Sequence, residues 1–216
     1  MTEQNYDLMR RAMVESQLRT TGVSDPRVVA AMASVPRERF VPEERRSLAY
    51  IDRPVDLGGG RALNLPEATG RLLTAAQVAA DDRVLVVGAA SGYAAALLDQ
   101  LAGHVVALET DAALVAAARA ALAGTGVEVV EGPLADGWAA GAPYDLIFID
   151  GLVGHVPAAL VEQLAEGGRL AAAIEDGGAS RLGIGRRSGT GFGVDLFADC
   201  EAVRLPGFDR PRTFTF

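Results

Sequence analysis

The sequence contains no lysine, because all 20 of its basic residues are arginine. A catalytic lysine, including one that forms a Schiff base, is therefore excluded. Cysteine is almost as scarce: Cys200 is the only one, so the chain can form neither an internal disulfide nor a cysteine-based zinc site. The two histidines form no ligand pattern, and no metal site is predicted.

Long apolar runs are also missing. The longest apolar region, around residues 84–98, is interrupted by glycine and serine and is shorter than the roughly 20 residues that span a bilayer. Residues 1–20 carry charges throughout and lack the apolar core of a secretory signal. We therefore expect a cytoplasmic protein with no membrane partner.

Acidic residues outnumber basic ones, 28 to 20, which gives a net charge of −8. The excess is not uniform, since residues 1–53 hold nine arginines against eight acids, and the remainder holds 11 against 20. An acidic main body does not attract phosphate backbones, so no nucleic-acid partner is expected.

The first third of the chain predicts two helices and a long loop. Residues 6–21 have helical spacing, and Asp25-Pro26 caps a second helix. From Pro36 to Pro66, four prolines and three consecutive glycines predict an irregular segment, whose apolar residues favour a packed covering loop. The arginines around this loop are expected to be solvated surface charges or to attract an acidic peptide; they are Arg53, Arg61 and Arg71.

After Pro66 the pattern alternates between short apolar runs and helical stretches, which is typical of a parallel α/β sheet. The predicted strands are 83–88, 104–109, 127–131, 144–150 and 168–174, and the predicted helices are 67–78, 92–102, 111–123 and 156–165. Two further strands, 180–187 and 192–204, are expected to form an antiparallel pair. The sequence thus predicts one α/β domain over residues 1–216, with N-terminal helices and a covering loop in 1–66 and a doubly wound, mostly parallel sheet in 67–216.

A glycine turn follows the first of these strands and runs directly into a helix. The turn consists of Gly88, Ala89, Ala90, Ser91 and Gly92. In doubly wound sheets, nucleotide-like ligands bind at such a turn, at the carboxyl edge of the sheet. The alternative is a turn that serves packing alone.

Glu109 lies 21 residues after Gly88, at the end of the next predicted strand. A carboxylate there can accept hydrogen bonds from both hydroxyls of a ribose. The alternative is a solvated turn residue beside a helix start.

Two nucleotide classes fit this geometry. Nicotinamide cofactors usually bind at a Gly-x-Gly-x-x-Gly turn. This turn has only two glycines, four positions apart, with Ala89 and Ala90 between them. S-adenosylmethionine lacks phosphate and suits acidic surroundings, so it fits better. Asp136-Gly137, after the third strand, offers a carboxylate to the adenine amino group.

Several stretches resemble the protein-L-isoaspartate O-methyltransferase family. They are residues 13–20, 35–42 with 49–52, 84–93, 136–137 with 142–145, and 156–157 through 167–170. The resemblance implies a Rossmann-like methyltransferase fold that binds S-adenosylmethionine through the Gly88–Gly92 turn, Glu109, Asp136 and Gly137. It also implies protein repair, by methyl transfer to the free carboxylate of isoaspartyl residues in damaged proteins or peptides.

Some positions depart from the family pattern. Asn64, within Ala62-Leu63-Asn64-Leu65-Pro66, stands where the family carries a hydroxyl residue in a Thr-Ile-Ser-x-Pro type motif. Its amide can donate a hydrogen bond to a carboxylate, so Asn64 is predicted as the catalytic contact. Ala90 replaces a glycine of the turn, and Glu175-Asp176 adds two acids after the fifth strand. The alternative is a diverged relative that binds S-adenosylmethionine without repair activity and acts as a regulatory or binding protein, or on another acceptor.

Overall fold

The computed structural model describes residues 5–209 of the chain. Its centre is a seven-stranded sheet in the order β5-β4-β3-β6-β7-β8-β9. The strands are β3 Arg83–Val87, β4 His104–Glu109, β5 Glu128–Glu131, β6 Tyr144–Val153, β7 Leu164–Asp176, β8 Ala179–Ser188 and β9 Gly191–Asp199. A separate hairpin pairs β1 Val55–Gly58 with β2 Arg61–Leu63.

Six α-helices surround the sheet. They are α1 Tyr6–Met13, α2 Pro26–Ser34, α3 Pro66–Ala76, α4 Tyr93–Asp99, α5 Ala112–Ala121 and α6 Ala158–Glu162. The Asp25 side chain caps α2 and the Asp111 side chain caps α5, each by accepting hydrogen bonds from backbone N–H groups of the first turn. A π-helical turn, Val14–Leu18, extends α1. Within residues 5–209, no helix combines the length and apolar character needed to cross a membrane.

The sheet is parallel from β5 through β7 and antiparallel from β7 to β9. Along β3, alternate residues enter opposite cores: Val84 and Val86 pack with α1 to α5, whereas Leu85 and Val87 pack with α6 and the segment after β9. The chain leaves β3 toward β4 and β5, then returns to β6 on the other side of β3. The reversal of order places the ligand crevice of a doubly wound sheet between the carboxyl ends of β3 and β6.

The predicted doubly wound, mostly parallel sheet with a C-terminal antiparallel pair is confirmed. Several boundaries were wrong. The strand predicted at 144–150 extends to Val153, the strand predicted at 168–174 runs from Leu164 to Asp176, and the helix predicted at 92–102 ends at Asp99. The helix predicted at 156–165 covers only Ala158–Glu162, because β7 begins at Leu164 and its first residue pairs with Tyr144. The strand predicted to end at 204 ends at Asp199, and the following residues lie along the end of β6, where Leu205 N–H donates to the Leu152 carbonyl and Leu152 N–H donates to the Val203 carbonyl.

The segment 36–66 is more ordered than predicted. It contains two 3₁₀ helices, Arg37–Phe40 and Glu43–Leu48, and the β1–β2 hairpin. Gly58, Gly59 and Gly60 all have positive φ, so the glycines that indicated a breaker form the tip of a hairpin instead. The segment packs as a cover, as expected, since Phe40, Val41 and Tyr50 are buried.

Arg169, at the base of β7, joins α3 to the sheet. Its guanidinium forms an ion pair with Asp82 and donates to the carbonyls of Gln77 at 2.9 Å and Asp145 at 3.1 Å. Both side chains of the pair are largely buried, so the loss of either charge would leave the other buried without a partner.

We expect Arg169→Ala to lower the free energy of unfolding by about 3–5 kcal/mol, because it leaves the Asp82 carboxylate buried without its partner. Urea unfolding followed by circular dichroism measures this change. Arg186→Ala, at the exposed position opposite on β8, is the matched control and should change stability by less than about 0.5 kcal/mol. Equal effects of the two substitutions would contradict the anchoring role of Arg169.

Candidate active site

The turn after β3 is tied to the end of β4. The N–H groups of Gly88 and Ala89 both donate to the carbonyl of Leu108 at 3.0 Å. Gly88 has φ 75°, and a Cβ there would lie 2.8 Å from Leu205 Cδ1, so only glycine fits. Ala90 has φ 51°, a left-handed conformation that costs a non-glycine residue roughly 1–2 kcal/mol.

Every residue of the turn is buried. The Ser91 hydroxyl donates to the carbonyl of Phe40 at 2.5 Å and so holds the covering segment on the turn. Gly92 packs against α5, where an added Cβ would lie 2.7 Å from Leu122 Cδ1. Its φ of 99° and this packing both favour glycine at this position.

Glu109 closes β4 and its side chain has no exposed surface. The alternative of a solvated turn residue is therefore wrong. Its Oε2 accepts from the N–H of Ala90 at 2.7 Å, and its Oε1 accepts from Thr110 N–H at 2.8 Å and Asp111 N–H at 3.2 Å. Three backbone donors thus fix the carboxylate against the predicted cofactor turn.

Arg61 supplies a fourth donor to the same carboxylate. Its Nη1 lies 2.5 Å from Glu109 Oε1, and its Nη2 donates to the carbonyl of Gly88 at 3.3 Å. The expectation that Arg61 is a solvated charge is wrong, because only 6% of its side chain is exposed. Arg53 is exposed, and Arg71 pairs with Glu67 at 3.1 Å, one helical turn away on α3.

Asp136 and Gly137 lie in the loop after β5, whose carboxyl end shares the edge of the sheet with Glu109. Gln163 fixes this loop, since its Nε2 donates to the Asp136 carbonyl at 2.7 Å and its Oε1 accepts from Trp138 N–H at 2.8 Å. Gly137 is buried, whereas Asp136 is exposed and leaves its carboxylate facing solvent.

Asn64, two residues before α3, is buried and fully hydrogen-bonded. Its amide nitrogen donates to the carbonyl of Asp150 at 3.0 Å and to the Asp150 side chain at 2.9 Å, while its amide oxygen accepts from Val203 N–H at 2.9 Å. Both amide hydrogens are therefore in use. In this conformation Asn64 has none left for the acceptor carboxylate that the sequence predicted it to contact.

Asp150 and Arg37 belong to the site, and sequence reasoning missed both. Asp150 lies on β6 one residue beyond Ile149, the last partner of β3, and so borders the crevice next to Gly88. Arg37 is almost wholly buried, stacks 4.6 Å above the Tyr93 ring and donates to the Asn64 carbonyl at 2.5 Å. The sequence pattern at Asp150 is the same as at Glu109: an acidic residue follows a run of apolar residues.

Burial raises the pKa of the Asp150 carboxyl above its ordinary value, and the hydrogen bond from Asn64 and the charges of Arg37 and Arg61 offset only part of that increase. The protonated form is therefore favoured more in the folded protein than in the unfolded chain.

Together, the parallel sheet, the glycine turn after β3 and the buried acid ending β4 define a Rossmann-like methyltransferase of the kind that binds an adenosyl cofactor. Solved structures of that class share the fold. A protein-L-isoaspartate O-methyltransferase structure matches with a TM-score of 0.80 at 23% identity, over 93% of this chain and 67% of the other. A beta-aspartate methyltransferase structure from Plasmodium falciparum, in complex with S-adenosyl-L-homocysteine, matches with a TM-score of 0.77 at 20% identity, over 94% of this chain and 99% of the other.

Sequence comparison identifies the family. Residues 9–199 match the family model described as protein-L-isoaspartate(D-aspartate) O-methyltransferase. Protein-L-isoaspartate O-methyltransferase 1 of Rhodopseudomonas palustris is 42% identical over 94% of this chain and 85% of its own length. Protein-L-isoaspartate O-methyltransferase 2 of Marinobacter nauticus is 41% identical over 96% of this chain and 98% of its own length. The chain belongs to the protein-L-isoaspartate O-methyltransferase family, whose cofactor is S-adenosylmethionine.

The donor and acceptor chemistry of the site fits this cofactor, because Glu109 is an oriented carboxylate at the strand end where a ribose binds. One oxygen of this carboxylate, Oε1, is also paired with Arg61. Thr110 N–H, Asp111 N–H and Arg61 all donate to Oε1 of Glu109, whereas only Ala90 N–H donates to Oε2, so a ribose diol that donates to both oxygens would compete with Arg61 at Oε1.

We expect Asp150→Asn to unfold at a higher temperature than the wild type at neutral pH. Because the folded-state pKa of Asp150 is raised, the stability associated with this group is present at low pH and is lost as the pH rises from the ordinary carboxyl range through the folded-state pKa. Asparagine removes that loss and can still accept the hydrogen bond from Asn64. Differential scanning calorimetry from pH 4 to pH 8 should show the advantage shrinking toward the acidic end, and a difference that is constant with pH would contradict it.

Proposed function

We propose that this protein transfers a methyl group from S-adenosylmethionine to the free carboxylate of L-isoaspartyl residues in damaged proteins or peptides. The observation that carries the proposal is the buried Glu109 carboxylate, held by the N–H of Ala90 in the Gly88–Gly92 turn. Membership of the family favours S-adenosylmethionine over a nicotinamide cofactor at this turn.

The residues that would hold the cofactor come from three neighbouring strand ends. They are Gly88, Ala89, Ala90, Ser91 and Gly92 after β3, Glu109 at the end of β4, and Asp136 and Gly137 after β5. Glu109 would accept from the ribose hydroxyls and Asp136 from the adenine amino group. When bound, the cofactor supplies an electrophilic methyl group on a sulfonium centre.

The acceptor needs no general base. A backbone-type α-carboxyl has an ordinary pKa of about 3.3–3.7, so it is already anionic at neutral pH and requires only alignment and loss of water. The covering segment contributes to the exclusion of water, because Phe40 is buried and Ser91 hydrogen-bonds to its carbonyl. The protein therefore has to position the acceptor carboxylate and to exclude water from it.

We propose Asn64 as a positioning residue. Its amide joins the start of α3 to Asp150 on β6 and to Val203 after β9, three segments that are distant in sequence. It therefore sets the shape of the acceptor side of the crevice, where the sequence had predicted a direct contact.

The whole chain would act as one methyltransferase domain. Its N-terminal part, up to residue 66, would cover the Rossmann-like core that begins at residue 67. The partners would be isoaspartyl-containing proteins or peptides. We propose a cytoplasmic location, which the single, half-buried cysteine supports.

Glu109→Gln tests the cofactor site. Loss of a charged acceptor should lower kcat/KM for S-adenosylmethionine by about 10- to 100-fold, the equivalent of roughly 1.5–3 kcal/mol. Release of methanol from an isoaspartyl peptide ester measures turnover, and a thermal melt establishes that each variant is folded.

Glu131→Gln is the matched control, because Glu131 is the exposed partner of Glu109 on β5. It should behave as the wild type. If the wild type forms no ester on a peptide that another member of the family modifies in parallel, the proposed function is wrong.

Asn64→Ser tests the positioning role. A serine hydroxyl cannot replace contacts to both Asp150 and Val203, so the free energy of unfolding should fall by about 1–3 kcal/mol together with kcat. Urea unfolding and the same methanol assay provide the two readouts. Wild-type stability combined with lost activity would instead indicate direct contact between Asn64 and the acceptor.

A further inference from the structure

The Arg61 guanidinium is bound to the Glu109 carboxylate, the group to which the ribose of the proposed cofactor would donate. Its guanidinium bridges the ends of two adjacent strands, since it pairs with Glu109 on β4 at 2.5 Å and donates to the Gly88 carbonyl after β3 at 3.3 Å. Both charged groups are buried, so the pair is shielded from competing water and salt.

The hydrogen-bonding capacity of Glu109 makes the two occupants mutually exclusive. A ribose diol binds a carboxylate by donating two hydroxyl hydrogens. Oε1 of Glu109 already accepts from Thr110 N–H, Asp111 N–H and Arg61, whereas Oε2 accepts only from Ala90 N–H, so a diol that donates one hydroxyl to each oxygen finds Oε1 occupied. The diol can donate to both oxygens of Glu109 only after Arg61 has withdrawn from Oε1.

The β1–β2 hairpin, which carries Arg61, is suited to move away from Glu109. The β1–β2 hairpin forms its own two-stranded sheet, anchored at its base by the buried side chains of Val55 and Leu63. Its tip, Gly58-Gly59-Gly60, is exposed. An ion pair between Arg45 and Asp56, both of them partly exposed, joins the hairpin to the preceding 3₁₀ helix and contributes at most about 1 kcal/mol.

The hairpin also lies beside empty space. Leu57 on β1 lines a cavity of about 250 Å³ together with Val41, Ser91 and Leu114. Movement of β1 toward this cavity would not require the sheet to be disrupted, because neither β1 nor β2 pairs with it.

We propose that Arg61 is an internal plug of the cofactor site: the β1–β2 hairpin holds it on Glu109 in the free protein, and cofactor binding requires the hairpin to withdraw it. This inference rests on the proposed function, because it assumes that the Glu109 site takes an adenosyl cofactor. It adds a closed conformation that cannot bind the cofactor. The apparent affinity for the cofactor falls as the fraction of molecules in this closed conformation rises.

Isothermal titration with S-adenosyl-L-homocysteine tests the plug without turnover. Arg61→Gln should bind at least about tenfold more tightly than the wild type, because the closed conformation loses its ion pair and the open one does not. Arg53→Gln removes the same charge from an exposed position two residues before the hairpin and should bind as the wild type does.

Equal binding by Arg61→Gln would overturn the plug, and weaker binding would overturn it and make Arg61 a ligand of the cofactor. If neither the wild type nor Arg61→Gln bound S-adenosyl-L-homocysteine, although both were folded, the plug would also be overturned, because removal of Arg61 from Glu109 would then expose no cofactor site. Failure of the proposed function is a separate result: tight binding by Arg61→Gln, with no methyl ester formed on an isoaspartyl peptide, would retain the plug and reject that acceptor.

A second measurement uses the wild type, in case Arg61→Gln fails to fold with Glu109 unpaired. Saturation with S-adenosyl-L-homocysteine should speed amide hydrogen exchange in residues 55–63, because the hairpin loses its anchor, and should slow exchange in residues 84–92. Slower exchange in both regions would show that the hairpin clasps the cofactor and would overturn the proposal.

Discussion

Buried charge requires a partner, and this constraint organises the carboxyl edge of the sheet. Glu109 and Asp150 bring carboxyl groups into the interior, and Arg37 and Arg61 bring guanidinium groups to the same region. Backbone groups complete the network, so that the covering segment, two strand ends and the residues after β9 are bound to one another. The polar groups that determine the chemistry of the site also hold its walls in place.

The architecture and one side of the site could be predicted from the sequence. The apolar runs of β3 and β4 end in Gly88 and Glu109, and the parallel arrangement brings such ends together without any further information. Local patterns are sufficient here because strand direction and strand order determine which residues meet.

The other side of the site could not be predicted from the sequence, because it depends on contacts between segments that have no periodic pattern. Nothing around Arg61 distinguishes a surface arginine from a buried one, because a two-stranded hairpin among glycines has no amphipathic repeat. Asn64 was recognised only as a departure from a family motif, and its inward orientation depends on Asp150 and Val203. Arg37 is buried because a 3₁₀ turn directs it onto Tyr93, a geometry with no sequence signature.

The hydrogen bond between Asn64 and Val203 joins residues that are 139 positions apart. Closing a loop of that length has a larger entropic cost than forming any neighbouring turn, and the cost is offset only when the intervening strands have already paired. The same holds, over 86 positions, for the contact of Asn64 with Asp150. The walls of the crevice are therefore joined by contacts of high contact order, between segments that only the assembled sheet brings together.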